Sequence, residues 1–225
     1  MKTPVAVLIS GRGSNMAALL EATRHPAHPA AVALVLSNRA DAPGLGFARA
    51  AGVPTAVVES RGRPREEFEA AMQAVLEAHG VRLVALAGFM RVLTPGFVAA
   101  WEGRMLNIHP SLLPAFPGLD THRRALEAGV RLHGCTVHLV SAGVDEGPII
   151  AQAAVPVLTD DTEARLATRV LVEEHRLYPA ALAWLASGRV RLEGGRLVGR
   201  LRMARGVLAN PLPGFPPLPT HRGQD

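Results

Sequence analysis

The 225-residue chain holds one cysteine, one lysine and one tyrosine, and aromatic residues make up only 4% of it. The lone Cys135 excludes an intramolecular disulfide and any zinc site built on a cysteine pair. With Lys2 the sole lysine, arginine carries nearly all the positive charge, and the formal net charge of +5 is mild. A nucleic-acid binder of this size would show a basic block with aromatics interleaved, and neither is present, so no nucleic-acid partner is expected. Long apolar runs are also missing. Val81 to Phe89 is interrupted by Arg82 and is far shorter than the roughly 20 residues a membrane helix needs, so no membrane partner is expected either. Met1-Lys2-Thr3-Pro4 runs straight into a strand-like segment without the tripartite order of a secretory signal, which makes the cytoplasm the expected location.

What is present is ample material for a core: 48% of residues are hydrophobic and 19% charged, the profile of a globular protein. Over the first 90 residues, strand-like runs at Val5 to Ser10, Ala31 to Ser37, Pro54 to Val58 and Leu83 to Ala87 alternate with amphipathic stretches. Continuous apolar strands separated by helices predict an α/β fold, a mostly parallel twisted sheet with helices on both faces, Rossmann-like. Phe68, Ala71, Met72, Val75 and Leu76 form one buried stripe on a helix over Arg65 to His79. Beyond Pro95, strands at Arg104 to Ile108, Cys135 to Val140 and Ile149 to Val155 predict antiparallel additions in the C-terminal half. A helix capped near Asp160 to Thr162 runs toward Ser187, with Pro179 expected to kink or restart it. Val190 to Glu193 and Arg196 to Val198 read as a hairpin around Gly194-Gly195. Residues 1–200 are expected to form one domain with halves 1–100 and 101–200, and the Pro- and Arg-rich residues 201–225 an extended tail.

Three constellations could carry chemistry. Ser10-Gly11-Arg12-Gly13-Ser14-Asn15 lies between a strand and a helix, where amides and dipole favour an anion such as phosphate. A tight turn with a capping Ser or Asn would look the same. The loop is not a dinucleotide fingerprint, since Met16 holds the third glycine position, and it lacks the Gly-Lys-Ser/Thr of a P-loop. Asn107 and His109 stand two apart at a strand end, hence on one face, where parallel-sheet folds place active sites. Asp145 lies in the turn from Ser141 to Pro148. It is either an ordinary turn aspartate or the acid partner that orients His109 and favours its imidazolium. His133 and Cys135 fall on one strand face and His138 on the other, which argues against a metal cluster. Glu174 and His175 read as a solvated helix face, and Tyr178 as partly buried.

Ser10 to Asn15, Leu86-Ala87-Gly88-Phe89-Met90-Arg91, Asn107-Ile108-His109-Pro110-Ser111-Leu112-Leu113-Pro114, His138 to Pro148 and Glu174-His175-Arg176-Leu177-Tyr178-Pro179 together resemble the folate-dependent formyltransferase family. Within it, the glycine loop and the Glu-His-x-x-Tyr-Pro stretch resemble the branch whose acceptor is 5-phosphoribosylglycinamide. The likeness spans about residues 5 to 190. It implies a formyltransferase fold, 10-formyltetrahydrofolate as formyl-donor cosubstrate, no metal, small-molecule substrates only, and a monomer or homodimer. It implies Asn107, His109 and Asp145 as the catalytic trio, and Gly13, Ser14 and Asn15 as the phosphate loop. Glu174 falls near the ribosylglycinamide. Met90, Arg91, Val92 and Leu93 hold the folate pterin together with Asn107, and Arg65 lies on the folate side. Asp120 stands where some relatives have an auxiliary His, and Leu171 where some have a polar contact. The alternatives are a formyltetrahydrofolate deformylase, a non-catalytic folate-binding module of the same fold, and a tRNA-directed formyltransferase. The last is disfavoured because the chain has no room for a C-terminal domain.

Overall fold

A computed structural model of the chain describes residues 1–199, residue 201 and the backbone of residues 209–210. The first half alternates strands and helices: β1 (Thr3–Ile9), α1 (Ser14–Arg24), β2 (Ala30–Ser37), α2 (Gly44–Ala50), β3 (Thr55–Val57), α3 (Arg65–Ala78), β4 (Leu83–Leu86) and α4 (Pro95–Ala100). The second half holds β5 (Met105–His109), α5 (Thr121–Glu127), β6 (Leu132–Leu139), β7 (Ile149–Pro156), α6 (Glu163–Ala186), the hairpin β8 (Val190–Glu193) and β9 (Arg196–Gly199), and β10 (Ala209–Asn210).

The central sheet runs β10-β7-β6-β5-β4-β1-β2-β3. From β3 to β5 neighbouring strands are parallel, and from β5 to β10 they are antiparallel. The apolar run of β1 is continuous because both its faces are covered. Val5, Val7 and Ile9 pack with α1, α2 and α6 on one side, while Ala6 and Leu8 pack with Phe68, Met72 and Leu76 of α3 on the other.

The structure corrects the reading of the last long helix at three points. α6 continues through Pro179 without a break. Tyr178 is fully buried, and its hydroxyl reaches the carbonyls of Leu86 (2.9 Å) and Leu106 (3.2 Å) at the ends of β4 and β5. Glu174, expected on a solvated face, is only 6% exposed. The expected extended tail lies outside the described residues except at Leu201 and at β10, which pairs with β7.

Candidate active site

Ser10 to Gly13 form the turn between β1 and α1, Ser14 and Asn15 open the helix, and the left-handed Gly13 (φ 77°) stands at its N-cap. The first amides of a helix have no intrahelical acceptor, so those of α1 remain for a ligand. The loop rests on a residue that spacing alone did not mark: Gly44, the first of α2. Its N–H donates to the Gly11 carbonyl at 3.1 Å. A Cβ on Gly44 would lie 2.7 Å from Ile9 Cδ1 and 3.1 Å from that carbonyl, and one on Gly13 would lie 3.2 Å from the Gly44 Cα. The only sequence signal is a glycine in a helix's first turn, which costs helix stability and therefore needs a packing reason.

The loop, Asn38, Arg39 and the 87–90 turn enclose a cleft of about 380 Å³. Asp41 holds Arg39 through two bonds of 2.8 and 3.0 Å, whereas Arg12 is exposed and has no ion pair among the described residues. The Asn15 Nδ2 donates to Glu174 Oε2 at 2.7 Å, joining the start of α1 to the middle of α6. Asn15 Oδ1 is buried without a partner among the described residues. Burial pushes the Glu174 carboxyl above the usual carboxylate range, and the bond from Asn15 opposes that shift.

The segment after β4 forms the next wall. Met90 and Val92 are exposed, Leu93 is buried in the core beneath them, and Arg91 lies over the Phe68 ring at 5.8 Å. Arg65 is exposed at the first position of α3.

The trio is brought together. Alternation along β5 puts Leu106 and Ile108 into the core cluster under α6 and leaves Asn107 and His109 on the opposite face. His109 Nδ1 lies 3.4 Å from Asp145 Oδ2, slightly longer than an ordinary hydrogen bond. Its Nε2 lies 3.0 Å from the Phe116 carbonyl, which only accepts, so that nitrogen carries a proton and Nδ1 is the nitrogen that faces Asp145. Asp145 adopts a left-handed conformation (φ 58°), one that a short polar side chain tolerates, and its Oδ2 accepts from Gly118 N–H at 2.9 Å. The 110–120 loop therefore closes on both His109 and Asp145.

His138 is the residue the sequence reading left out of the trio's surroundings. β6 runs antiparallel to β5 and sets His138 opposite Asn107. His138 Nδ1 lies 2.9 Å from the Leu139 carbonyl, so in the neutral ring Nε2 is the acceptor, and it receives the Asn107 Nδ2 at 3.2 Å. Burial lowers the His138 pKa from its ordinary value, and this preserves the neutral ring that the bond requires. One N–H of Asn107 is thereby fixed and the other is directed away. His133 instead faces His122, with their ring nitrogens 3.2 Å apart, and burial beside it lowers the His133 pKa to about 4. Cys135 is buried in the core, where its thiol is pushed far up. Asp120 pairs with Arg123 at the surface at 2.6 Å.

The formyl transferase family matches residues 3–182. The chain is 51% identical over 198 residues to the human trifunctional purine biosynthetic protein adenosine-3, covering 87% of this chain but only 20% of that protein. It thus spans about a fifth of that relative's length. It is 45% identical to the phosphoribosylglycinamide formyltransferase of Escherichia coli (strain K12), covering 84% of this chain and 89% of that one. Among solved structures, glycinamide ribonucleotide transformylase 1 from Symbiobacterium toebii superposes with a TM-score of 0.84 at 53% identity, covering 87% and 93% of the two chains. A formyltetrahydrofolate deformylase from Pseudomonas putida KT2440 also superposes, with a TM-score of 0.81 at 28% identity, covering 89% of this chain and 71% of that one. The match extends over most of the sequence and includes an enzyme that the chain spans almost end to end; the chain belongs to the formyl transferase family.

Proposed function

We propose that the chain transfers the formyl group of 10-formyltetrahydrofolate to the amine of 5-phosphoribosylglycinamide, a step of purine synthesis. The observation that carries this reading is the strand order β5-β4-β1. Three adjacent parallel strands end, in that order, in Asn107 and His109 of the trio, the Met90 to Leu93 segment and the anion loop. A phosphorylated acceptor held at Gly13, Ser14 and Asn15 then extends across the middle segment toward Asn107 and His109. Residues 1–100 serve as the phosphate-binding half and residues 101–200 as the catalytic and folate-binding half through Asn107, to which Arg65 and Met90 to Leu93 of the first half are added on the folate side.

The chemistry follows from the groups at hand. The acceptor amine, as its free base, forms a bond to the formyl carbon, and the carbonyl oxygen becomes an oxyanion. The second N–H of Asn107 donates to that oxygen, and a proton on His109 Nδ1, which Asp145 faces, adds a charge-assisted bond. The amine loses a proton, the bond from carbon to the folate nitrogen breaks, and that nitrogen takes up a proton, so charge and atoms balance. Holding both substrates end to end supplies the proximity term. Asn15 Oδ1, buried with no donor among the described residues, suits a substrate hydroxyl, and Glu174 suits the ribosylglycinamide beside it. The reaction as written calls for neither a metal nor a covalent nucleophile.

Absorbance of the deformylated folate, followed with and without 5-phosphoribosylglycinamide, tests the proposal. Product is expected only with the ribonucleotide. Equal product without it would make the chain a deformylase, and folate binding without turnover a binding module.

A further inference from the structure

Between β4 and α4, residues 89–93 make no backbone–backbone hydrogen bond among the described residues. A stretch with so little main-chain support is positioned by whatever holds its two ends. At the first end the buried Ser10 accepts the Met90 N–H at 2.7 Å, and its hydroxyl donates to Asn38 Oδ1 at 2.6 Å. At the second end stands Glu69. This carboxylate is only 5% exposed and lies on the same helix as the buried Phe68, Met72 and Leu76. Both its oxygens go to one residue, Thr94: Oε1 accepts the backbone N–H at 2.6 Å and Oε2 accepts the hydroxyl. Thr94 in turn caps α4, its hydroxyl accepting the Phe97 N–H at 3.3 Å.

Burying a carboxylate in an apolar stripe is costly unless its oxygens are bonded, and among the described residues Thr94 is the partner that meets that need. A serine or asparagine cap would hold α4 without a buried acid from another helix. The arrangement therefore does something more than cap a six-residue helix. It fixes where the 90–93 stretch ends relative to α3, while the main-chain groups of residues 91–93 have no backbone partner among the described residues.

We propose that Glu69 is a positioning residue for the formyl donor: it clamps Thr94 so that the Met90 to Leu93 segment keeps the shape the folate ring system requires. The inference rests on the reading of that segment as folate-facing. It assigns the effect of Glu69 mainly to one substrate, because Thr94 bonds no residue of the anion loop among the described residues, and the loop meets the stretch at its other end, where Ser10 accepts the Met90 N–H.

The test measures binding of a stable 10-formyl-dideazafolate by calorimetry, together with both Michaelis constants, for the parent, Glu69→Gln, Glu69→Ala and Thr94→Val. Glu69→Ala should weaken the analogue about 10- to 30-fold, the equivalent of one bond to a charged acceptor since the lost bonds act through the segment and not on the ligand, and leave the KM for 5-phosphoribosylglycinamide within about twofold. Glu69→Gln, which keeps an acceptor for the Thr94 N–H, should recover most of that loss. Thr94→Val should cost about 3-fold, and less than that when Glu69 is already alanine, because the two act as one unit. Unchanged analogue binding in Glu69→Ala would overturn the inference. Equal rises in both KM values with a lower Tm would also overturn it, since that is the signature of a purely structural role. If Glu69→Ala does not fold, the split between the two KM values in Glu69→Gln and Thr94→Val decides. A parent protein that fails to bind the analogue but still binds the ribonucleotide would overturn the folate-facing reading itself.

Discussion

The anion loop and the trio occupy neighbouring strand ends, yet they are built in opposite ways. The loop is one contiguous stretch that offers main-chain amides, shaped by Gly13 and held down by Gly44. The trio is gathered from β5 and the 141–148 turn, closed by the 110–120 loop, and each member is oriented by a separate hydrogen bond: Phe116 for His109, Gly118 for Asp145 and His138 for Asn107. A site made of backbone changes mainly in affinity when side chains around it change. A site made of oriented side chains changes in rate. The two regions should therefore separate KM from kcat under mutation, and that separation can be tested.

The largest effect belongs to the trio. His109→Ala should lower kcat by about 10²- to 10⁴-fold, the usual worth of a positioned general acid or base, with the KM for the ribonucleotide little changed. Near-normal turnover would remove His109 from the mechanism. His138→Phe should act on the same parameter but less strongly. It leaves Asn107 in place without the acceptor that aims it, so kcat should fall about 10- to 100-fold, below the 10²- to 10³-fold typical of deleting an oxyanion donor outright. Steady-state kinetics on both substrates would show it, and a KM effect without a kcat effect would break the assignment. Gly44→Ala addresses the other region. A methyl group 3.1 Å from the Gly11 carbonyl and 3.2 Å from that of Arg12 displaces the loop slightly, so the KM for the ribonucleotide should rise about 5- to 10-fold with kcat nearly unchanged.

The same contrast explains what the sequence made legible. The loop could be read because a strand, a glycine turn and a helix start are local features. The shared face of Asn107 and His109 could be read because strand alternation is local too. The placement of His138 on the other face from Cys135 was equally plain, but its partnership with Asn107 depends on the antiparallel register of β6 on β5, which no spacing within either strand encodes. The Phe116 carbonyl on His109 is invisible for a related reason: a main-chain acceptor arrives by loop closure, and any residue supplies one. Glu174 sits in a run, Glu173 to Arg176, that reads as solvated until α6 is packed on α1 and Asn15 covers it. Pro179 interrupts nothing because tertiary packing around Tyr178 and Ala181 outweighs one missing helix bond. Long-range pairing, not residue type, is the common element in what was missed.

Glu174 gives the smallest kinetic effect and the most discriminating pH behaviour. Glu174→Gln keeps an acceptor for Asn15 and loses only the charge toward the substrate, so the KM for the ribonucleotide should rise about threefold. Stability should move the other way. Burial raises the folded-state pKa of Glu174 above its ordinary 4.5, so the folded protein retains that proton longer than the unfolded chain does. Its contribution is fully present below 4.5 and is lost as pH rises through the folded-state value, where an anion must form in the interior. Glutamine has no such loss. Thermal melts from pH 4 to pH 8 should therefore show parent and variant with similar Tm at the acid end, and the variant progressively more stable as pH rises. A difference that stays flat or reverses sign would mean that Glu174 is stabilised as a carboxylate even without substrate, and would place it with the pre-formed polar contacts of the trio, not with a buried acid waiting for a ligand.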